Sequence, residues 1–537
     1  MHSRTSRNLS ILSLLVLLPV AALLAAAPVE AGSRAGQGFD PASGRKRVDT
    51  HRSSPPQLRL SPTKPRQPPT VSADQAMRLV RSGQRVLLPA EAGASQELVD
   101  ALVRRSASLG GKKPVEVLHA AAHLEQPTHA TGAPGKLQVN ALFINGGLRQ
   151  NLDKITITPT YLSEIPRLVT TTLKPNVVFL RVSPPDARGY VSMGPNADYV
   201  LGLLADPKVK IIAEVNPNVP RTRGDSRLHV SHIDALVASS KSMPQVRFEA
   251  KDQASQLIAK HVAAAVPNGA TLQLGIGELQ EAVAGQLAER GKQLNDKGGR
   301  FRVKVWTEIG SNGLKVMADA GIIAKQRDAI KLGFGIGEQP FYDFLAKDKR
   351  VKLVGTATIN DPMVAGARRK LVAVNSGVGV DLYGQACSEM IPRTGPDGKV
   401  TPVPYSGVGG QVDFFRAVQR SPGGMGFLTL RSTVKNGTVS TITLDLAPGL
   451  VVTTNRYDMD RVATEWGVAE LRGKDVVARA QALIRVAHPR FRAELARQGL
   501  ERFGGDPKSW QIASRVTQAE QRLVAQLEPA PVTTASK

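Results

Sequence analysis

The chain is nearly devoid of cysteine. Cys387 is the single one among 537 residues, which excludes an intramolecular disulfide framework and a cysteine-built metal cluster. A lone cysteine reads first as a small core residue. Aromatic residues are scarce too, at 4%. The core must therefore come from Val, Leu, Ile and Ala, and a nucleic-acid platform that stacks single-stranded bases on rings is disfavoured. Histidines number nine. His119 and His123 have the i, i+4 spacing of ligands on one helix face, and His229 and His232 sit three apart. Neither pair has a third ligand of clear type nearby, so no metal site is expected.

A long basic block is also missing, although the net charge is +25 and the pI about 10.3. Residues 1–71 hold ten Lys/Arg and three Asp/Glu, a net +7. The remaining +18 is spread along the chain, as expected of solvated surface rather than a nucleic-acid face. A basic balance of this kind still favours anionic small molecules as partners.

What is present begins with a segment that resembles a secretory signal. Arg4 and Arg7 precede an almost wholly apolar run over 9–27, and Val29-Glu30-Ala31 offers small residues at −3 and −1 of a cleavage after Ala31. A single membrane anchor and an over-extended start are the competing readings. Residues 32–71 are rich in Pro, Ser, Arg and Gly and predict a disordered linker. Two α/β units are then expected, over 72–248 and 249–527, followed by a frayed tail at 528–537.

Short apolar runs rich in β-branched residues alternate with helical stretches. In the first unit, Ser72 is placed to cap a helix over 73–82, and a second helix is expected near 95–106. Strands are expected at 85–88, 115–118, 142–144, 176–180, 210–214 and 235–237. In the second unit, helices are expected at 252–265, 278–290, 474–486 and 510–527. Its strands are expected at 271–274, 302–306, 329–332, 351–354, 371–374, 426–430, 439–443 and 450–453. Strands this short and apolar are covered on both faces, and their alternation with helices predicts open, mainly parallel α/β sheets.

Three features after residue 270 bear chemistry. Leu274-Gly-Ile-Gly277 ends a strand and opens a helix, a junction where backbone amides can meet an anion. It lacks the third glycine of a dinucleotide fingerprint and is not read as a nicotinamide site. Glu308 follows a strand, and ligands of open α/β sheets bind beyond the carboxyl ends of strands. A carboxylate there can serve as base or covalent nucleophile. The run Tyr405-Ser-Gly-Val-Gly-Gly-Gln-Val-Asp-Phe414 puts three glycines in four positions after an extended segment and before a helix. Glycine admits positive φ and close backbone approach, so this turn can hold an anion or a developing oxyanion. One acid and two glycine-rich anion holders suit acyl transfer from an anionic carrier, and spacing alone reaches no further.

Over residues 72 to 500 the chain resembles the acetyl-CoA hydrolase/transferase family, the coenzyme A transferases that include 4-hydroxybutyrate and succinyl-CoA:acetate CoA-transferases. The first half carries Ser183-Pro-Pro-Asp-Ala-Arg-Gly-Tyr190, Asn216-Pro-Asn-Val-Pro220 and His229-Val-Ser-His-Ile-Asp234. The second carries Leu274–Gly277, Thr307-Glu308, Asn360-Asp-Pro362, Asn375-Ser376 with Val380-Asp-Leu382, Tyr405–Phe414, Leu446-Ala-Pro-Gly449, Val452-Thr-Thr454, Thr464-Glu-Trp-Gly-Val-Ala469 and Leu471-Arg-Gly-Lys474.

The resemblance implies two α/β units with the active site in the cleft between them, a homodimer, and coenzyme A as a substrate with no permanently bound cofactor. It implies Glu308 as the nucleophile that attacks an acyl-CoA thioester and passes through a glutamyl-CoA thioester. Gly409 and Gly410 would supply oxyanion amides, and Asn375 would orient a carbonyl or the Glu308 carboxylate. Gly275, Ile276, Gly277, Gly407 and Gln411 would line the CoA side of the pocket. The substrates implied are short acyl-CoAs and small carboxylic acids, with hydrolysis as the alternative outcome. A non-catalytic exported binding protein is the reading that the signal-like amino terminus supports instead.

Three departures from the family pattern stand out. Asn312 replaces an acid shortly after the nucleophile, Gly379 replaces a frequent glutamate, and Pro89-Ala-Glu-Ala-Gly-Ala94 is less glycine-rich than usual.

Overall fold

The computed structural model describes residues 67–124, 136–249, 252–395 and 398–527. The signal-like segment, the linker up to residue 66 and the tail at 528–537 lie outside the described residues.

Two parallel sheets organise the chain. The first has seven strands in the order Ile155–Ile157, Leu137–Phe143, Val115–Ala120, Arg85–Leu88, Val177–Val182, Lys210–Val215 and Ala235–Ala238. Every neighbouring pair is parallel. The second has eight, in the order Val351–Leu353, Ile330–Gly335, Lys304–Gly310, Thr271–Leu274, Leu371–Ser376, Met425–Thr429, Arg461–Thr464 and Gly467–Glu470. Only its last pair is antiparallel. In each sheet the first strand in sequence lies inside the order, so the direction of winding reverses beside it. That reversal opens the crevice where ligands of such sheets bind. One continuous apolar cluster includes Leu87 and Val178 of the first sheet and Leu272, Ile309 and Phe334 of the second, so burial that excludes water joins the two.

Local signals explain most helix starts. Ser72 and Gln75 form a reciprocal capping box. Ser95, Asp252 and Asp475 each accept a backbone N–H in the first turn of Gln96–Ser106, Gln253–Ala265 and Val476–Val486.

Several expectations are corrected. The strand foreseen at 302–306 runs Lys304–Gly310 and includes Glu308, because parallel pairing to Ile330–Gly335 continues through Gly310. No strand forms at 450–453. Val451 and Val452 are exposed there, and only Thr454 makes a bridge, to Ala386. β-propensity without a partner edge is not enough. The helix foreseen at 510–527 is two, Pro507–Ser514 and Gln518–Leu527, and Pro489–Phe503 is a further helix that starts with proline in its first turn. His119 lies in a strand, so its spacing to His123 is not that of one helix face. Cys387 is fully buried, and burial pushes its thiol pKa up.

Candidate active site

Glu308 projects from the carboxyl end of the Lys304–Gly310 strand. Thr307, just before it, turns its hydroxyl onto the Leu274 carbonyl at 2.7 Å, which locks this strand end to the start of the Gly275–Gly277 turn. Glu308 keeps partial solvent contact, yet its carboxyl group is densely surrounded.

The glycine-rich turn meets that carboxylate. Gly410 precedes the ten-residue helix Gln411–Arg420, and its N–H donates to Glu308. A methyl group on Gly410 would sit 1.7 Å from Glu308 Oε2 and 2.4 Å from Asn360 Nδ2, so no residue with a side chain fits there unless the carboxylate moves. Gly409 has φ +55°, and a Cβ on it would lie 3.5 Å from Glu308 Oε1. The positive φ aims the Gly410 amide, and the helix N-terminus behind it favours a negative charge.

The turn is fixed from the other sheet. Phe143 lies against both Gly407 and Gly409. Leu162 N–H donates to the Gly409 carbonyl at 3.1 Å. Arg149 donates to the Tyr405 carbonyl at 2.6 Å and lies over the Tyr405 ring at 3.6 Å. A Cβ on Gly407 would lie 2.9 Å from the Phe143 ring; glycine is needed here for close packing between the two sheets.

A side chain that sequence reasoning did not assign completes the constellation. Asn360 is almost fully buried and donates from Nδ2 to Glu308 Oε2 at 2.9 Å and to Asp413 Oδ2 at 3.4 Å. Asp413 in turn accepts from the Ser163 N–H at 3.0 Å and the Ser163 hydroxyl at 2.7 Å. Loss of hydration is the largest influence on Glu308 and the Asp413 charge adds to it, against the Asn360 and Gly410 hydrogen bonds, so its pKa is raised to about 7. Asp413 is raised to about 6, again chiefly by burial.

An acid that sequence reasoning did not assign also lies near this group. Glu91 belongs to the segment that departs from the family pattern, and it has φ 41°, a strained value for a residue with a side chain. Ala90 before it is gripped at both ends, its N–H by Asp198 Oδ2 at 2.7 Å and its carbonyl by Asn196 Nδ2 at 2.8 Å. Asn196 bridges to Phe334, the cross-strand neighbour of Ile309. Burial, then the nearby Glu308 charge, raise Glu91 to about 8.

The other foreseen residues lie around this centre in different roles. Asn375 and Gln273 exchange both amide hydrogen bonds, at 3.1 and 3.2 Å. The amide on the Glu308 carboxylate is thus that of Asn360, while Asn375 lines the point where the second sheet reverses its winding. Gly275, Ile276 and Gly277 lie at that same point. Gly275 N–H donates to Val374 O at 3.1 Å, and Gly277 has φ +122° as it enters the helix Glu278–Asp296. The Gln411 side chain is buried and donates to Ser388 Oγ and Thr454 Oγ1 at 3.0 and 2.8 Å, which anchors the helix start. Asn312 is a structural tie, exchanging hydrogen bonds with the Glu338 N–H and carboxylate at 2.9 and 3.0 Å. A Cβ on Gly379 already sits 3.2 Å from the Thr441 carbonyl, so a longer side chain there would need that carbonyl to shift.

The comparisons agree with this architecture. Residues 65–246 match the acetyl-CoA hydrolase/transferase N-terminal domain, and residues 337–499 match its C-terminal domain. The 4-hydroxybutyrate coenzyme A transferase of Clostridium kluyveri is 35% identical over 81% of this chain and 97% of its own length. The succinyl-CoA:cyclohexane-1-carboxylate CoA transferase of Geobacter metallireducens is 32% identical over 78% of this chain and 92% of its own. Among solved structures, a 4-hydroxybutyrate CoA-transferase from Porphyromonas gingivalis superposes with TM-score 0.63 at 26% identity, covering 81% of this chain and 98% of that one.

Proposed function

The chain belongs to the acetyl-CoA hydrolase/transferase family and is an enzyme of that class, and from that premise we propose that it moves coenzyme A between a short acyl-CoA and a small carboxylate through a covalent thioester on Glu308. The observation that carries this reading is the pair of donors, Asn360 Nδ2 and the Gly410 N–H, that converge on one partly dehydrated carboxylate.

The Glu308 carboxylate oxygen adds to the thioester carbonyl carbon, the C–S bond breaks, and CoA leaves as a thiolate with an acyl-glutamyl anhydride left behind. The thiolate then attacks Cδ of Glu308. The former acyl group departs as a carboxylate, and a glutamyl-CoA thioester remains. An incoming carboxylate attacks that thioester, and the same two steps in reverse return Glu308 and a new acyl-CoA. One thioester is exchanged for another, so no external energy source is required. A carboxylate is a weak nucleophile. Dehydration raises its basicity, and binding of the CoA tail supplies energy for the strained anhydride step. As negative charge moves from Glu308 to the carbonyl oxygens, the amides of Gly410 and Asn360, which already donate to Glu308, would follow it, with the Gly409 amide as a further donor. Gly275, Ile276 and Gly277 would face CoA where the second sheet reverses its winding, and we read the active species as a homodimer.

Intact-mass measurement after exposure to short acyl-CoAs without acceptor tests the proposal. A CoA-sized adduct on Glu308, absent in Glu308→Gln, is expected. Free acid and CoA accumulating with no adduct, and no diversion of product when a carboxylate is added, would assign hydrolysis instead. No adduct and no turnover would leave the exported binding protein.

A further inference from the structure

A cavity lies on the same face of the strand that carries Glu308, toward its other end. Side chains alternate across a strand, so Lys304, Trp306 and Glu308 share one face. Trp306 pairs across to Lys331, and Lys331 pairs on to Lys352. A sheet buried under helices would ordinarily fill such a row with apolar residues. Here three of the side chains are lysines.

The cavity measures about 520 Å³, and its lining includes Lys304, Trp306, Lys331, Arg368, Arg369 and Lys370. The Arg368 guanidinium lies 4.3 Å from the Trp306 ring centre and the Lys331 ammonium 5.5 Å from it. Arg368 Nε is buried without a hydrogen-bond partner. Among the described residues, none of Lys304, Lys331, Arg368, Arg369 or Lys370 forms an ion pair. The acid in the lining, Asp328, is engaged by Arg223 at 2.7 Å. Burial, then the Arg368 charge, lower the Lys331 pKa, and the Asp328 charge offsets them only in part.

From this geometry we propose that the cavity is a binding site for a phosphorylated small molecule bearing two or more negative charges, held by Lys331 and Arg368 beside Trp306 with Lys304, Arg369 and Lys370 at the mouth. The volume falls in the range of small-ligand sites. Trp306 walls the cavity from the catalytic carboxylate. Its indole N–H donates to the Ile359 carbonyl at 2.8 Å, one residue before Asn360. The site is independent of the transferase reading.

Calorimetric titration of the full chain carrying Glu308→Gln, with inorganic pyrophosphate at constant ionic strength, tests it. Saturable binding with one site per chain is expected, weakened about tenfold or more by Lys331→Gln and by Arg368→Gln. Lys304→Gln, at the exposed mouth, serves as the variant least able to disturb folding and should weaken binding to a smaller, measurable extent. Absence of binding, binding unaltered in all three variants, equal or tighter binding of citrate, or displacement of pyrophosphate by duplex DNA would each overturn the proposal.

Discussion

Asn360 hydrogen-bonds the Glu308 carboxylate at 2.9 Å and, through the same nitrogen, reaches Asp413 at 3.4 Å. One donor is shared between two carboxyl groups that repel each other. Asn360 therefore sets both where the Glu308 oxygen points and how easily it ionises.

Replacing Asn360 with alanine removes a hydrogen bond that favours the charged form of Glu308 and leaves the Asp413 repulsion in place. The Glu308 pKa should rise above about 7. Turnover below neutrality should fall with it, and kcat at its optimum should drop about 100-fold, the scale of one lost oxyanion-type donor. A pH–rate profile with an unmoved acid limb would contradict this.

Gly410→Ala should abolish turnover, because its methyl would occupy space 1.7 Å from Glu308 Oε2. Gly409→Ala faces only a strained φ of +55° and contacts of 3.5 Å. That strain costs about 1–2 kcal/mol, so this variant should fold less stably but retain measurable activity. Single-turnover assays on both, with thermal melts alongside, separate the two effects; comparable activity in the pair would rule out the placement of the Gly410 amide against the carboxylate.

The strand–glycine–helix junction at 274–278, Glu308 and the 407–410 turn were all legible in the sequence because each is local. Glycine where no side chain fits, a helix after it and an acid at a strand end are patterns within ten residues. Asn360 was not legible as a partner of Glu308. The two are separated by 52 residues, and only the pairing of neighbouring parallel strands brings the segment after Val351–Leu353 over Glu308. The Asn360-Asp-Pro362 run was visible as a motif, with Asp361 capping the short helix Pro362–Gly366, but nothing in its spacing says where the Asn side chain points. Glu91 was hidden for a different reason. Its positive φ follows an Ala90 held at both ends by Asn196 and Asp198, more than a hundred residues away, and no propensity favours that conformation. For Asn375 the sequence identified a residue near the site, and buried pairing with Gln273 decided its contacts.

Stability should depend on pH through Glu308. The folded pKa of Glu308, about 7, lies above its ordinary value near 4.5, so the fold prefers the neutral acid. That preference is fully present below about pH 4.5 and is lost as pH rises through about 7. Glu308→Gln keeps a neutral group at all pH values. Its melting temperature should exceed that of the parent at pH 8, by an amount corresponding to roughly 2 kcal/mol after allowing for partial exposure, and should match it near pH 4.5. Equal melting temperatures at both pH values would show that the carboxylate is not strained by burial.

Glu91 gives the alkaline side of the same argument. Burial and then the Glu308 charge raise its pKa to about 8, so the pair takes on its second charge only above neutrality. The two carboxyls titrate as a coupled pair. Between the two steps the site holds one charge and is competent. Above the second step a further negative charge faces Glu308 and, in the proposed mechanism, the departing thiolate, so turnover should decline. Glu91→Gln cannot acquire that charge. Its pH–rate profile should keep the acid limb near pH 7 and lose the decline above about pH 8, with kcat at neutrality close to that of the parent. If the decline persisted in Glu91→Gln, it would have to arise from a group other than Glu91, and the facing acid would be a structural feature of the strained Ala90–Gly93 turn rather than part of the titrating centre.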